Sequence, residues 1–361
     1  MSLLPHHSLS KNKFIYLFSQ IFTHFAIHLF IISKMFNSIK SVFASPPKKE
    51  HPTIKKHQPV QTSYVSLPVI IPDNFLSLST LEKPISNQPI NWETSPIPEN
   101  KGKYAIVLDH VLSPSECTTL ISLAEQSVPL DNPTMRGEDG SAWMPALVNI
   151  GAGFEVLSPD YRRSDRIVWD TKEIVERLWK RIETVEEVKK DLEKVRGGMI
   201  LGRRDKEAGR EWEMVRVNER LRFLRYGVGD FFKPHCDAPF CEKDYLDPEG
   251  PVKTLFTVHL YLNDSKAEVG DEAELVGGAT TIFSNDEKRR LDVNPKAGRV
   301  LIFQHNGVLH SGDDVKQGVK FSVRTDIIYR QLKEDGETKK DEEDKKSEEA
   351  LKKWASEGVK K

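Results

Sequence analysis

The sequence predicts a domain of the α+β class, built mainly of β-strands with flanking helices. The main observation lies after Glu219, where short apolar runs alternate with turn residues. Many short strands at regular intervals are typical of an antiparallel sandwich or barrel. The predicted strands span residues 221–226, 254–262, 279–283, 299–304 and 320–329.

The second observation is a strand and two helices that precede these strands. Residues 104–108 form a short apolar run that predicts the strand. Ser113 can cap a helix, Pro114 suits its first position, and Glu116 stands where a capping box needs an acid. Residues 171–183 carry apolar side chains at helical spacing, which predicts a second, amphipathic helix. The helices are expected to flank the strands.

The composition excludes two classes of protein. The 361 residues carry a formal net charge of -1, so the chain lacks a global basic surface and no nucleic-acid partner is expected. Its three cysteines are Cys117, Cys236 and Cys241, a sparse and odd set that does not predict a disulfide framework. The length suits one sizeable domain with appendages.

Changes in composition divide the chain into segments. Nine prolines between Pro47 and Pro98 exclude long helices there and predict an extended, mostly unpacked linker. The predicted segments are a hydrophobic N-terminal segment (1–45), a proline-rich linker (46–102), the folded domain (103–330) with an exposed, partly helical charged insertion (186–210), and a charged, disordered tail (331–361).

The apolar stretch 14–36 has two interpretations that the sequence leaves open. Its length would span a bilayer, and Lys11 and Lys13 before it would favour a single-pass signal-anchor with a luminal (endoplasmic reticulum) catalytic domain. Alternatively Met35 is the true start, and the stretch upstream is not translated. The protein would then be cytoplasmic.

Three side chains form a candidate metal site. His235 and Asp237 are two residues apart, so on an extended strand both project to the same side. His310 follows the predicted strand 299–304, and antiparallel pairing can bring distant strands side by side. Two histidines and one carboxylate are the ligand set of mononuclear non-haem Fe(II) oxygenases, which keep open positions for a co-substrate and O₂.

A basic residue on the next predicted strand completes this pattern. Lys320 lies where such a site would hold the far carboxylate of 2-oxoglutarate. Arg324 is four residues further, shares the same strand face, and is a rival for the carboxylate or a partner of an acid. His305 competes with His310 as the third ligand. Gly312 and the spacing to Lys320 favour His310.

Several segments together resemble the 2-oxoglutarate/Fe(II) dioxygenases of the prolyl 4-hydroxylase catalytic-domain type. The resemblance covers about Lys103 to Arg330, without the insertion. The segments that carry it are Leu112–Cys117, Tyr161–Arg166, Arg225–Asp237, Thr257–Leu262, Gly277–Thr280, Pro295–Phe303 and His310–Lys320. The chain departs from the family pattern at Ala279, where an acidic residue is common. The resemblance implies a double-stranded β-helix, or jelly-roll, core.

The resemblance also implies roles for single residues. The iron ligands and catalytic residues would be His235, Asp237 and His310. Lys320 would bind the C5 carboxylate of 2-oxoglutarate, with Tyr226 and Thr257 assisting and Arg324 as the rival. His259 alternates with the apolar face of its strand and is expected to be structural or to line the pocket.

The implied activity is the hydroxylation of a C–H bond with release of succinate and CO₂. Fe(II) would be the cofactor, 2-oxoglutarate and O₂ the co-substrates, and ascorbate an optional further cofactor. The leading substrate is a peptidyl proline, so the expected partner is a peptide or protein. Two alternatives remain, namely a small-molecule hydroxylase and a jelly-roll binding module without turnover, since fold and ligands do not fix a substrate.

Overall fold

A computed structural model describes residues 54–129, 136–137, 139–151, 153–242 and 252–332. The predictions for residues 1–53 and 333–361, which include the apolar stretch, the start of the linker and most of the tail, lie outside the described residues. In the part of the chain that the structure describes, no helix is long and apolar enough to cross a membrane.

Short β-strands are the main regular secondary structure of the described chain. They are β1 (Pro59–Gln61), β2 (Ser86–Pro89), β3 (Ala105–Asp109), β4 (Met144–Pro145), β5 (Val148–Gly151), β6 (Phe154–Val156), β7 (Arg162–Arg163), β8 (Asp165–Asp170), β9 (Lys194–Arg196), β10 (Glu211–Val217), β11 (Arg220–Tyr226), β12 (Phe231–His235), β13 (Cys241–Glu242), β14 (Val252–Tyr261), β15 (Val276–Gly277), β16 (Thr280–Phe283), β17 (Arg290–Val293), β18 (Val300–Gln304), β19 (His310–Gly312), β20 (Val315–Gln317) and β21 (Lys320–Gln331).

The helices of the described residues are fewer and mostly short. They are α1 (Pro114–Gln126), α2 (Lys172–Ile182), α3 (Glu186–Glu193), α4 (Gly198–Leu201), α5 (Arg203–Glu207) and α6 (Lys266–Val269), with 3₁₀ turns at Leu78–Thr80, Pro98–Asn100 and Gly270–Glu272.

Two antiparallel sheets form the centre of the fold. The larger sheet runs β2-β3-β18-β14-β21-β11-β8-β4, with β10, β9 and β13 attached to it. The smaller sheet runs β17-β16-β19-β12-β7. Strands that are distant in sequence lie side by side, as β3 does with β18 and β12 with β19. This is the predicted double-stranded β-helix, and the fold class is confirmed.

The two faces of the large sheet pack against different partners because side chains alternate along a strand. On β14, Val258 and Leu260 belong to one apolar core together with Leu120 of α1 and Ile174 of α2. Tyr261 belongs to a second core with Ile282 of the smaller sheet. The space between the two sheets is therefore lined by the odd-numbered residues of β14 from Thr257 to Tyr261, beyond the register shift between Thr254 and Phe256.

The first helix begins as the sequence predicts. The Ser113 hydroxyl accepts a hydrogen bond from the Glu116 backbone N–H, and the Glu116 carboxylate accepts one from the Ser113 backbone N–H. Pro114 occupies the first helical position, where its missing N–H costs nothing. The capping box thus fixes the start of α1.

The described part of the proline-rich segment differs from the predicted unpacked linker. Strand β2 extends the large sheet beside β3, and β1 pairs with β6. Phe75, Trp92 and Ile97 are buried. Prolines exclude long helices, but they leave edge strands and the packing of isolated apolar side chains open. The interpretation as unpacked chain was wrong for these residues, while the predicted domain limits stay a prediction.

The charged segment 186–210 is also more closely packed than its composition indicates. Helix α3 buries Val188 and Leu192, and Val195 of β9 is buried where β9 pairs with β10. Its charged side chains therefore cover an apolar face, as in an amphipathic element. Burial of that face could not be seen from the number of charges alone.

Candidate metal centre and its cavity

Adjacent strands of the smaller sheet bring the three candidate ligands together. His235 ends β12 and lies directly opposite His310, the first residue of β19. Asp237 follows two residues after His235, with its carboxylate 3.8 Å from His235 Nε2 and 3.7 Å from His310 Nε2. One ligand atom from each residue lies within 4.8 Å of the others. A single ion can reach all three.

Both imidazole rings are oriented by the backbone. His235 Nδ1 donates to the Lys233 carbonyl at 2.8 Å, and His310 Nδ1 donates to the Val308 carbonyl at 3.1 Å. Each Nε2 therefore carries a lone pair, which is the arrangement that histidine ligands need. Burial lowers the pKa of His235 to about 3 and also lowers the pKa of His310, so both rings are neutral.

The Asp237 carboxylate is held on both oxygens. Thr257 Oγ1 donates to Oδ2 at 2.6 Å, and Arg324 Nη1 lies 2.6 Å from Oδ1. Burial alone would raise the pKa of Asp237, but the positive charge of Arg324 keeps it far below its usual range. The carboxylate is therefore ionised and fixed in position, as a metal ligand must be.

Arg324 belongs to a wider buried network. Its Nη2 lies 3.0 Å from Asp326 Oδ1, while Arg222 Nη1 lies 3.2 Å from Asp326 Oδ2. His305 Nε2 is 3.5 Å from the same Asp326 carboxylate. His305 thus lies outside the three-ligand cluster, which favours His310 as the third ligand. Arg324 forms the acid pairing that the sequence left open as its alternative role.

Lys320 is a buried cation beside two aromatic rings. It is only 2% exposed, lies opposite Tyr226 across the β11–β21 pair, and has Nζ 5.2 Å from the Tyr226 ring centre and 5.6 Å from that of Tyr261. Burial lowers the pKa of Lys320 to about 7, opposed only by the more distant charge of Asp313. Among the described residues, no carboxylate forms an ion pair with it. A ligand carboxylate would supply the missing counter-charge.

The Gly-Gly motif of the sequence lies against this lysine. Gly278 has a φ of 73°, and a Cβ at this position would come 3.2 Å from Lys320 Cδ. A side chain here would therefore need both an unfavourable backbone conformation and movement of the lysine. Glycine at this position lets the start of β16 approach Lys320 closely.

One cavity of about 60 Å³ unites these groups. Every residue that the sequence predicted for the site lines this cavity. The predicted residues that line it are Tyr226, His235, Asp237, Thr257, His259, His310, Lys320 and Arg324. Gly312, which supported the choice of His310, and Phe232 also line it. The sequence assigned no role in the site to the remaining lining residues, which are Arg162, Arg222, Leu224, Thr280, Phe303 and Ser311.

Two of the missed residues are arginines. Arg162 has its guanidinium carbon 4.6 Å above the Phe232 ring, and burial lowers its pKa to about 10. Strand β7 is too short for its side-chain alternation to be read from sequence. Arg222 could have been found, because Arg222 and Tyr226 are an even number of residues apart on β11 and so share a face.

The donor set fits a divalent transition metal. It offers two neutral imidazole nitrogens and one ionised carboxylate, which is the facial set of non-haem Fe(II) oxygenases. The Phe232 ring stacks on His235 at 3.8 Å between ring centres, and Phe303 lies 4.7 Å from His310. These rings line the cavity and give the ligands an apolar surround.

Comparison with known proteins gives one family match. Residues 221–325 match the model of the 2OG-Fe(II) oxygenase superfamily. No curated protein matches the chain. Similar solved structures include the viral collagen prolyl hydroxylase vCPH from Paramecium Bursaria Chlorella virus-1 in complex with 2OG, with 18% identity over 63% of this chain and 97% of that chain and a TM-score of 0.36.

Two further solved structures are prolyl hydroxylases. A prolyl-4-hydroxylase from Pseudomonas putida is 16% identical over 64% of this chain and 95% of that chain, with a TM-score of 0.39. A prolyl hydroxylase from Trichoplax adhaerens, in complex with a peptide fragment of the hypoxia inducible factor oxygen degradation domain, is 12% identical over 64% of this chain and 86% of that chain, with a TM-score of 0.39.

The family match and the His-Asp-His cluster define the class of protein: the matched segment forms a 2-oxoglutarate- and Fe(II)-dependent oxygenase domain. The chain is a dioxygenase, an oxidoreductase that uses Fe(II), 2-oxoglutarate and O₂. The predicted enzyme class and these cofactors are confirmed, and residues 221–325 match the predicted superfamily. The expectation of ascorbate stays a prediction.

Proposed function

We propose that the chain hydroxylates a peptidyl proline, with release of succinate and CO₂. The observation that carries the proposed use of 2-oxoglutarate is the buried cation Lys320, which lines the same cavity as His235, Asp237 and His310. The catalytic domain is proposed to span residues 103–330, as the sequence predicts.

The three candidate ligands would hold the metal. His235, Asp237 and His310 would bind Fe(II), with Thr257 and Arg324 keeping the carboxylate oriented. When bound, Fe(II) supplies the oxidising chemistry, coupling the decarboxylation of 2-oxoglutarate by O₂ to hydroxylation of a substrate C–H bond.

The co-substrate would lie between the ligands and Lys320. The ammonium group of Lys320 would pair with the C5 carboxylate of 2-oxoglutarate, next to the Tyr226 ring. A charge-assisted contact in a site that excludes water is stronger than the same contact on the surface. This pairing would orient the keto acid with its other end at the metal ligands.

The proposal of a proline substrate rests on the sequence motifs. The run from Arg225 to Asp237 and the later motif around His310 resemble the prolyl 4-hydroxylase catalytic domain in order and in spacing. A small acidic molecule is the second candidate, because Arg162 and Arg222 line the cavity and suit an anionic group.

The test is succinate formation by the full chain with Fe(II), 2-oxoglutarate and O₂. We expect a proline-containing peptide to stimulate it and to gain one oxygen atom by mass, while the same peptide with alanine at each proline does neither. Asp237→Ala serves as the inactive control. Stimulation by metabolite extracts alone would replace the peptide proposal with the small-molecule one. Absence of succinate in protein that binds Fe(II) and 2-oxoglutarate would indicate a binding module.

A further inference from the structure

His259 brings an unsatisfied polar atom to the cavity. The residue lines the cavity, and its Nε2 is buried without a hydrogen-bond partner among the described residues. Its nearest aromatic neighbour, Tyr261, presents a ring at 4.9 Å between centres rather than an acceptor. A buried polar atom without a partner is costly, so such an atom at a binding cavity points to a ligand group.

The position of His259 along β14 is as informative as its burial. Thr257, His259 and Tyr261 are two residues apart and share the face that lines the space between the sheets. Thr257 donates to the Asp237 carboxylate, and the Tyr261 ring lies 5.6 Å from Lys320 Nζ. His259 is therefore placed between the metal end and the cationic end of the cavity.

The ring of His259 is neutral. Burial lowers its pKa well below the ordinary value, and the charge of Lys320 lowers it further. A neutral imidazole carries one N–H. With that proton on Nε2, the ring is a donor that faces the path between the metal ligands and Lys320.

We propose that His259 is a further co-substrate-binding residue, whose Nε2–H donates a hydrogen bond to a carboxylate oxygen of 2-oxoglutarate. The inference rests on the proposed use of this cavity for the co-substrate. His259 would act with Lys320, which supplies charge, by adding a directional contact along the length of the keto acid. From the sequence, His259 was expected only to be structural or to line the pocket, because it alternates with the apolar face of its strand.

The experiment measures the Kd of 2-oxoglutarate for the full chain loaded with Fe(II) in the absence of O₂, from the metal-to-ligand charge-transfer band. His259→Leu removes the donor and keeps the bulk, while His259→Gln keeps an amide donor near the position of Nε2. We expect His259→Leu to weaken 2-oxoglutarate binding about tenfold and His259→Gln to stay within about threefold of wild type. The affinity for Fe(II) alone should not change in either variant.

Different outcomes would overturn the inference and the proposed function. A wild-type protein that gives no band would contradict the proposed function itself. A band in wild type together with equal Kd values for wild type and His259→Leu would contradict only the role of His259. If His259→Gln lost as much affinity as His259→Leu, packing rather than hydrogen bonding would be the cause. His259→Asn, whose amide is too short to reach, replaces the leucine variant if that variant does not fold, with the same expected loss.

Discussion

The guanidinium group of Arg324 lies 2.6 Å from the carboxylate of Asp237, the acidic member of the candidate metal site. The other carboxylate oxygen accepts from Thr257, so both oxygens are engaged. Arg324 is itself held by Asp326 at 3.0 Å. The carboxylate is thus fixed by a network that extends beyond the residues in contact with a metal.

Loss of Arg324 should weaken metal binding. In Arg324→Leu the Asp237 carboxylate stays buried without a counter-charge, so its pKa rises and its orientation is lost. We expect the affinity for Fe(II) or Mn(II), measured by titration of metal-free protein, to fall about tenfold or more. Arg324→Lys should retain much of the affinity because it keeps the charge.

A matched control uses an arginine on β11 that does not line the cavity. Arg225 pairs with Asp165 at 2.9 Å, and Arg225→Leu should leave metal affinity unchanged. Wild-type metal affinity in Arg324→Leu would contradict a positioning role for the Arg324–Asp237 pair.

Removal of the Lys320 charge should affect the co-substrate and not the metal. In Lys320→Ala we expect the concentration of 2-oxoglutarate needed for half-maximal succinate formation to rise about a hundredfold, because a buried carboxylate would lose its only proposed cationic partner. Fe(II) affinity should stay at the wild-type value. An unchanged 2-oxoglutarate requirement would reject Lys320 and favour Arg324 as the carboxylate partner.

The affinity for 2-oxoglutarate should depend on pH through Lys320. Burial lowers its pKa to about 7 in the protein without ligand, and a bound carboxylate would raise it. The charged form binds, so affinity is fully present below about pH 7 and falls by up to about tenfold per pH unit above it. Lys320→Arg stays charged and should give a flatter profile of Kd between about pH 6 and pH 9. Parallel profiles for the two proteins would contradict the assignment.

A buried ion pair between the two main helices should determine much of the stability of this region. Arg181 of α2 is fully buried and lies 2.7 Å from Glu116 of α1. Arg181→Leu leaves that carboxylate without its partner, and we expect the free energy of unfolding to fall by about 3 kcal/mol in denaturant titrations. As a control, Arg203 pairs with Glu207 on the surface. Arg203→Leu should therefore change the free energy of unfolding by less than about 0.5 kcal/mol. Equal losses of unfolding free energy in Arg181→Leu and Arg203→Leu would contradict the special contribution of the buried ion pair.

The sequence was sufficient for the parts of the site that depend on spacing. His235 and Asp237 both reach the site, as their two-residue separation predicts, although Asp237 lies just beyond the end of β12. Lys320 and Arg324 share a side of β21 because an even number of residues separates them. The pairing of β12 with β19 then brings His310 opposite His235, as antiparallel folding allows. The regular alternation of side chains along a strand is what allows the sequence to predict which residues face the site.

Other features depend on contacts between distant segments, which spacing does not specify. The choice of Asp237 as a partner of Arg324 follows from how the two sheets meet, and the position of Arg162 over Phe232 follows from the pairing of β7 with β12. The packing of residues 54–102 likewise depends on which edge of the large sheet is open to β2. A few apolar side chains among prolines do not identify that edge.

The central claim is tested most directly by anaerobic addition of Fe(II), and then 2-oxoglutarate, to the full chain. We predict a metal-to-ligand charge-transfer band in wild type, its loss in Asp237→Ala, and its retention in Asp286→Ala, which removes an exposed carboxylate that does not line the cavity. A well-folded wild-type protein that gives no band, or an Asp237→Ala variant that keeps it, would contradict the assignment of the metal centre.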